Sequence, residues 1–125
     1  MCLLESVVDW DDESIECRAV SHRDRDNPLR IGGKLRAICA AEYAAQAMAV
    51  HGALAGPRDK QAGMLAALRE IKLFVMRLDD IEAELTVRAR RLIADGDRLL
   101  YEFSVASLGN PLVSGRAAVF LGSLL

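Results

Sequence analysis

The sequence predicts an α+β domain in which one long helix packs against a single antiparallel sheet. Three observations predict it. A stretch with nine alanines between positions 37 and 55 supplies one convincing helix. Segments on either side alternate apolar and polar residues with period two, as in Ile15, Cys17 and Ala19 against Glu16 and Arg18. The chain has 125 residues, 52% of them apolar, enough for one core and too few for two. Residues 1–125 therefore read as one domain.

The elements follow in order. Residues 2–10 and 15–21 read as two strands joined by an acidic turn at Asp11, Asp12 and Glu13. Residues 21–33 form a loop, where Asn27-Pro28 and Gly32-Gly33 exclude regular structure. The helix spans 35–55 and stops at Gly56-Pro57. At 1.5 Å per residue it is roughly 30 Å long. Its small side chains suggest that something wraps closely around it, as a curved sheet does. Strand patterns return at 63–78 and 85–92, Asp95-Gly96 supplies a hairpin turn, and 99–106 alternates. Gly109-Asn110-Pro111 then turns into a last strand, 112–121.

Composition narrows the function classes. With 27% charged residues, three Pro and no low-complexity tract, the chain is neither disordered, collagenous nor a disulfide scaffold. A net charge of -2 argues against a dedicated nucleic-acid binder. The three cysteines, Cys2, Cys17 and Cys39, lack the paired spacing of a zinc or redox site and read as buried thiols in a reducing cytoplasm. Acidic residues at positions 5, 9 and 11–13 interrupt any signal sequence. The most apolar segment, 37–55, contains Glu42, Gln46 and His51 and is no membrane span. Residues 1–17 carry a local charge of -6, leaving +4 to the remainder. The basic residues there, among them Arg58, Lys60, Arg69, Lys72, Arg77, Arg88, Arg90 and Arg91, read as a solvated sheet face or as a landing surface for an acidic partner.

The chemical inventory is short. Only two histidines exist, His22 and His51. Glu42 lies among alanines in the helix, either on an exposed polar edge or as a carboxyl group in an apolar cleft, where desolvation favours the proton-donating acid form. At 100° per residue His51 falls near 180° from Glu42, so the two cannot share a site within one chain, whereas Gln46, one turn on, can. His22, on the loop before the helix, is a candidate general base, and a surface residue without a task is the alternative. His51 reads as structural or surface. No metal-ligand spacing or phosphate loop occurs.

The stretch Ala41-Glu42-Tyr43-Ala44-Ala45-Gln46-Ala47-Met48-Ala49-Val50-His51-Gly52 resembles the central-helix signature of hot-dog-fold 3-hydroxyacyl-[acyl-carrier-protein] dehydratases, in particular the aryl-polyene-type subgroup. Leu3-Leu4-Glu5-Ser6-Val7 is similar to the family's first strand, and Asn27-Pro28-Leu29 to its loop before the helix. The resemblance implies a helix wrapped by a curved antiparallel sheet. It implies a dimer, homomeric or with a related hot-dog subunit, and an interface tunnel that receives an acyl-phosphopantetheine arm on acyl carrier protein or coenzyme A. By the same resemblance, His22 takes the C2 proton of a 3-hydroxyacyl thioester, and Glu42 of the other subunit protonates the departing hydroxyl. Gly33, Leu35 and Gln46 bind substrate, with backbone N–H groups near Gly33 and the helix start polarising the thioester carbonyl. No metal or redox cofactor is implied. Relatives begin with a Pro-His segment before the first strand; this sequence opens in the strand pattern, so its start is truncated or it dispenses with that segment. A hot-dog thioesterase and a catalytically weak partner subunit are the two other readings.

Overall fold

The computed structural model describes residues 2–55 and 63–121, without the side chains of 63, 64 and 121. Six strands, β1 (Ser6–Trp10), β2 (Ser14–Ala19), β3 (Gly63–Leu73), β4 (Leu85–Asp95), β5 (Arg98–Ser107) and β6 (Asn110–Leu121), surround one helix, α1 (Ala40–Ala55). Every strand pairing is antiparallel, and the sheet runs β1-β2-β4-β5-β6-β3. The crossover that takes the chain from α1 to the far edge at β3 leaves the middle of the sheet free to curve around the helix. Among the described residues no helix is long and apolar enough to cross a membrane.

The period-two residues become the core. Ile15, Cys17 and Ala19 of β2, Leu85, Val87 and Ala89 of β4, and Tyr101, Phe103 and Val105 of β5 are all buried. They meet Ala40, Tyr43, Ala44, Ala47 and Met48 of α1, spaced three and four apart on one helical face. Each large apolar side chain here contributes roughly 1.5–3 kcal/mol of transfer free energy. Ala40, Ala44 and Ala47 at the contacts let the helix approach the sheet backbone closely.

The opposite sheet face is a ladder of opposite charges. Arg88 meets Glu16 at 2.6 Å, Arg18 meets Glu84 at 3.0 Å, Arg116 meets Glu70 at 3.4 Å and Arg90 meets Glu102 at 3.7 Å. The arginines of β4 at 88 and 90 therefore belong to a solvated, internally paired face. A groove of about 750 Å³ crosses this face between Trp10 and Lys72, on the side away from the helix. Arg58 and Lys60 lie outside the described residues, as does the expected stop at Gly56-Pro57.

Several boundaries differ from the sequence reading, each for a physical reason. The helix starts at Ala40 instead of 35, preceded by a 3-10 turn at Ala37–Cys39. Residues 35 and 36 stay outside the helix because the connection from β3 to β4 captures the backbone here: Ala37 N–H donates to the Met76 carbonyl at 3.0 Å and Leu78 N–H to the Leu35 carbonyl at 2.7 Å. The same bonds end β3 at Leu73, short of 78. A second 3-10 turn, Ser21–Arg23, occupies the start of the expected loop. Of the cysteines only Cys17 is buried; Cys39 is half-buried and Cys2 exposed, because the first residues lie outside the sheet.

The β4–β5 turn residues are Gly96 and Asp97, one position later than expected. The β5–β6 turn uses Leu108 and Gly109, both with positive φ, 51° and 79°, as the type I′ hairpin requires. A left-handed leucine costs about 1–2 kcal/mol, and this one is 83% exposed with no packing to offset it. Leu108→Asn is expected to stabilise the protein by about 0.5–1 kcal/mol, read as a higher urea midpoint.

Candidate active site

His22 sits in the 3-10 turn that follows β2 and is fully buried. Its Nε2 lies 3.0 Å from two backbone carbonyls, those of Ile81 and Ala83 in the β3–β4 connection. Carbonyls only accept, so Nε2 carries the proton and is shared between them. The second nitrogen, Nδ1, is buried with no partner among the described residues, and in this tautomer it holds a free lone pair. Burial pushes the imidazole pKa below its ordinary value against the opposing pull of the two carbonyls, and the cations of Arg23 and Arg30 push the same way as burial. The fold thus holds a neutral histidine with its basic nitrogen uncommitted.

His51 is the contrast. It too is fully buried, with Nε2 2.9 Å from the Asp11 carbonyl and Nδ1 2.7 Å from the Tyr101 hydroxyl. Nε2–H donates to the carbonyl, so Nδ1 accepts from the tyrosine and no lone pair is free. It pins the β1–β2 turn to the end of α1, a structural task. Glu42 lies on the opposite face of the helix, as 100° per residue places it, and is exposed.

A hydrogen-bond network that the sequence did not disclose fixes the His22 loop. Asn27 Nδ2 donates to the Ser21 carbonyl at 3.0 Å and to Tyr43 Oη at 3.1 Å, while Asn27 Oδ1 accepts from Leu29 N–H at 2.9 Å. Ser21 Oγ donates to the Leu3 carbonyl at 2.7 Å, which leaves the Tyr43 hydroxyl to donate to Ser21 Oγ at 2.8 Å. The loop is thereby bolted to α1 and to the segment before β1. Burial raises the Tyr43 pKa, keeping the phenol protonated as the network needs. The one available signal was Asn27-Pro28 beside a histidine, with a tyrosine isolated among the helix alanines.

The other expected binding residues, Gly33, Leu35 and Gln46, play different parts in the chain. Gly33 lies on an exposed turn at φ 78°, where Ile31 and Lys34 exchange backbone hydrogen bonds. Leu35 is fully buried in the core, its N–H donated to Asp79 Oδ1 at 2.8 Å. Gln46 is half-buried and its Oε1 accepts from Leu3 N–H at 2.7 Å. The N–H groups of Lys34, Leu35, Ala37 and Cys39 are donated within the chain, and that of Gly33 is not one of these.

The helix start borders an apolar edge. β3 ends the sheet, and Leu65, Leu68, Leu73, Phe74 and Met76 along it and its continuation are exposed, Met76 by 90%. The Ala37–Met76 backbone bond sets this edge beside the N-terminal end of α1, five residues before Glu42. A row of unpaired edge backbone flanked by apolar side chains is a surface that associates. Among the described residues no group of three or more His, Cys, Asp or Glu could hold a metal ion.

Residues 1–123 match the family model described as ApeP-like, ApeP dehydratase. The chain belongs to the ApeP-like dehydratase family. No curated protein matches it. Among solved structures, this ApeP-like chain is similar to a chain of the dehydratase heterocomplex ApeI:P from Xenorhabdus doucetiae, with TM-score 0.80 and 26% identity over 97% of this chain and 83% of that one. Its fold is shared with a thioesterase of Haemophilus influenzae, HI1161 (TM-score 0.71, 13% identity, 95% and 78% covered). It is shared also with a mutant thioesterase of Pseudomonas aeruginosa, PA1618 (TM-score 0.69, 14% identity, 94% and 81% covered). The ApeP-like architecture is accordingly the hot-dog fold expected from the sequence, a six-stranded antiparallel sheet curved around one helix.

Proposed function

We propose that this protein eliminates water from 3-hydroxyacyl thioesters carried on phosphopantetheine, with His22 as the base and Glu42, from a second hot-dog subunit, as the acid. The observation that carries the reading is the buried neutral imidazole whose Nε2–H is held by two carbonyls while Nδ1 keeps its lone pair. Nδ1 takes the C2 proton, the C2–H electrons form the C2–C3 double bond, and the C3 oxygen leaves as water with a proton from Glu42. Gly33 N–H is the candidate donor to the thioester oxygen as negative charge develops. The acyl carrier protein and coenzyme A are the two carriers of such an arm.

Glu42 is exposed at the end of α1 that borders the apolar edge of β3, a position from which it serves a neighbouring subunit better than its own. Similarity to a chain of a dehydratase heterocomplex supports a related but different hot-dog chain as that neighbour.

The test supplies 3-hydroxyacyl thioesters on acyl carrier protein and on coenzyme A to the purified protein, alone and mixed with a related hot-dog subunit, and follows enoyl absorbance and free thiol. Enoyl formation without thiol release is expected. Glu42→Gln is expected to slow it by roughly 10²-fold while leaving stability within about 0.5 kcal/mol, since the side chain is exposed. Thiol release without enoyl product would assign a thioesterase instead.

A further inference from the structure

The loop that carries His22 holds a second buried polar atom without a partner among the described residues, Nε of the half-buried Arg30. Its NH2 donates to the carbonyl of His22 itself at 3.1 Å, and its NH1 donates to the carbonyl of Gly33 at 3.0 Å. One planar side chain thus spans two points eleven residues apart in sequence. They are the residue that presents the base and the turn that carries the candidate thioester-oxygen donor. Arg30 Nε is buried with no partner among the described residues, as is His22 Nδ1, whereas Arg23 is exposed and gives its NH1 to the Glu82 carbonyl at 3.0 Å.

We infer that Arg30 is a positioning residue that locks His22 and the Gly33 turn into one rigid unit. The inference rests on the dehydratase reading for its catalytic consequence and on geometry alone for the coupling. The guanidinium suits the task because NH1 and NH2 present one donor to each carbonyl in a rigid planar relation, whereas the donors of an ammonium rotate on a flexible stem. It also sets a cation beside the imidazole. The groups acting on the His22 ring are the carbonyls of Ile81 and Ala83 from the β3–β4 connection and the cations of Arg23 and Arg30 from its own loop. Both cations oppose protonation of the ring, and only Arg30 also holds the His22 backbone.

The experiment compares wild type, Arg30→Gln and Arg30→Lys by imidazole NMR titration, urea unfolding and the pH dependence of kcat/KM, in the assembled protein. Arg30→Gln removes the cation and the fork. The His22 titration is expected to move upward, the acid limb of kcat/KM to move with it, and kcat/KM to fall roughly 10- to 100-fold at constant folded fraction. Arg30→Lys keeps a cation and loses the fork, so the titration should stay near that of wild type while kcat/KM still falls. An unchanged His22 titration and unchanged ring shifts in Arg30→Gln would overturn the inference, as would activity lost only in proportion to unfolding. Wild type without enoyl-forming activity would remove the dehydratase reading and leave the Arg30–His22 coupling to be judged by NMR.

Discussion

His22→Ala is expected to lower kcat/KM for enoyl formation by roughly 10²–10⁴-fold, the usual contribution of a positioned general base. The alanine also leaves the Ile81 and Ala83 carbonyls without their shared donor, at a cost of about 1–3 kcal/mol, so a loss of fold could be mistaken for a loss of chemistry. His22→Gln separates the two effects. A glutamine amide donates to carbonyls but carries no basic nitrogen, so its urea midpoint is expected to lie near that of wild type while kcat/KM stays as low as in the alanine variant. A glutamine variant with full activity would take His22 out of the mechanism.

The pH dependence has a definite sign. Burial holds the His22 pKa below its ordinary value of 6.5, so the base remains unprotonated in mildly acidic solution, and the acid limb of kcat/KM is expected below that of a free imidazole. For stability, the unfolded chain takes up the proton near pH 6.5 while the folded chain resists it. The contribution of His22 is therefore complete above that pH and falls as pH drops through the window below it. Urea midpoints measured from about pH 7.5 to about pH 5.5 should decline more steeply in wild type than in His22→Gln.

Asp79→Ala is expected to destabilise the protein by roughly 2–3 kcal/mol, lowering the thermal midpoint by about 10 °C. The carboxylate is almost wholly buried and accepts the Leu35 N–H and the Arg77 guanidinium, whose Nε lies 3.0 Å from Oδ1. It ties the lead-in of α1 to the β3–β4 connection, whose carbonyls hold His22. Removing it strands a buried N–H, while Arg77, partly exposed, recovers water. Asp79→Asn keeps an acceptor for Leu35 and should lose about half as much. Arg77, together with the Leu35 N–H, holds the Asp79 carboxyl well below the usual carboxylate range against the cost of burial. This contribution is present above the ordinary aspartate value of 3.8 and is lost as pH falls below it, when the unfolded chain takes up a proton that the folded one refuses. Acid unfolding is accordingly expected to be steeper in wild type than in Asp79→Asn.

Much of the architecture is legible in the residues. The alternation of Ile15, Cys17 and Ala19, and of Leu85, Val87 and Ala89, names the strands and the face they bury, because a half-buried strand must repeat every second residue. The alanines of α1 announce a helix held close to a sheet, and the 100° step separates Glu42 from His51. What the residues cannot announce is any bond whose partner is remote. The helix begins at Ala40 because Met76, Leu78 and Asp79 capture the backbone of residues 35–37. Helix propensity, a few tenths of a kcal/mol per residue, yields to such tertiary hydrogen bonds.

The same division runs through the candidate site. Sequence reasoning together with family resemblance proposed His22 and Glu42 as a pair. The tertiary structure decided that His22 is buried, neutral and in one tautomer, through carbonyls 59 and 61 residues away, while the equally buried His51 has both nitrogens engaged. Local periodicity is written in neighbouring residues and can be read from them. A proton's position on an imidazole depends on which distant carbonyls the folded chain brings within 3.0 Å, and here the β3–β4 connection brings them.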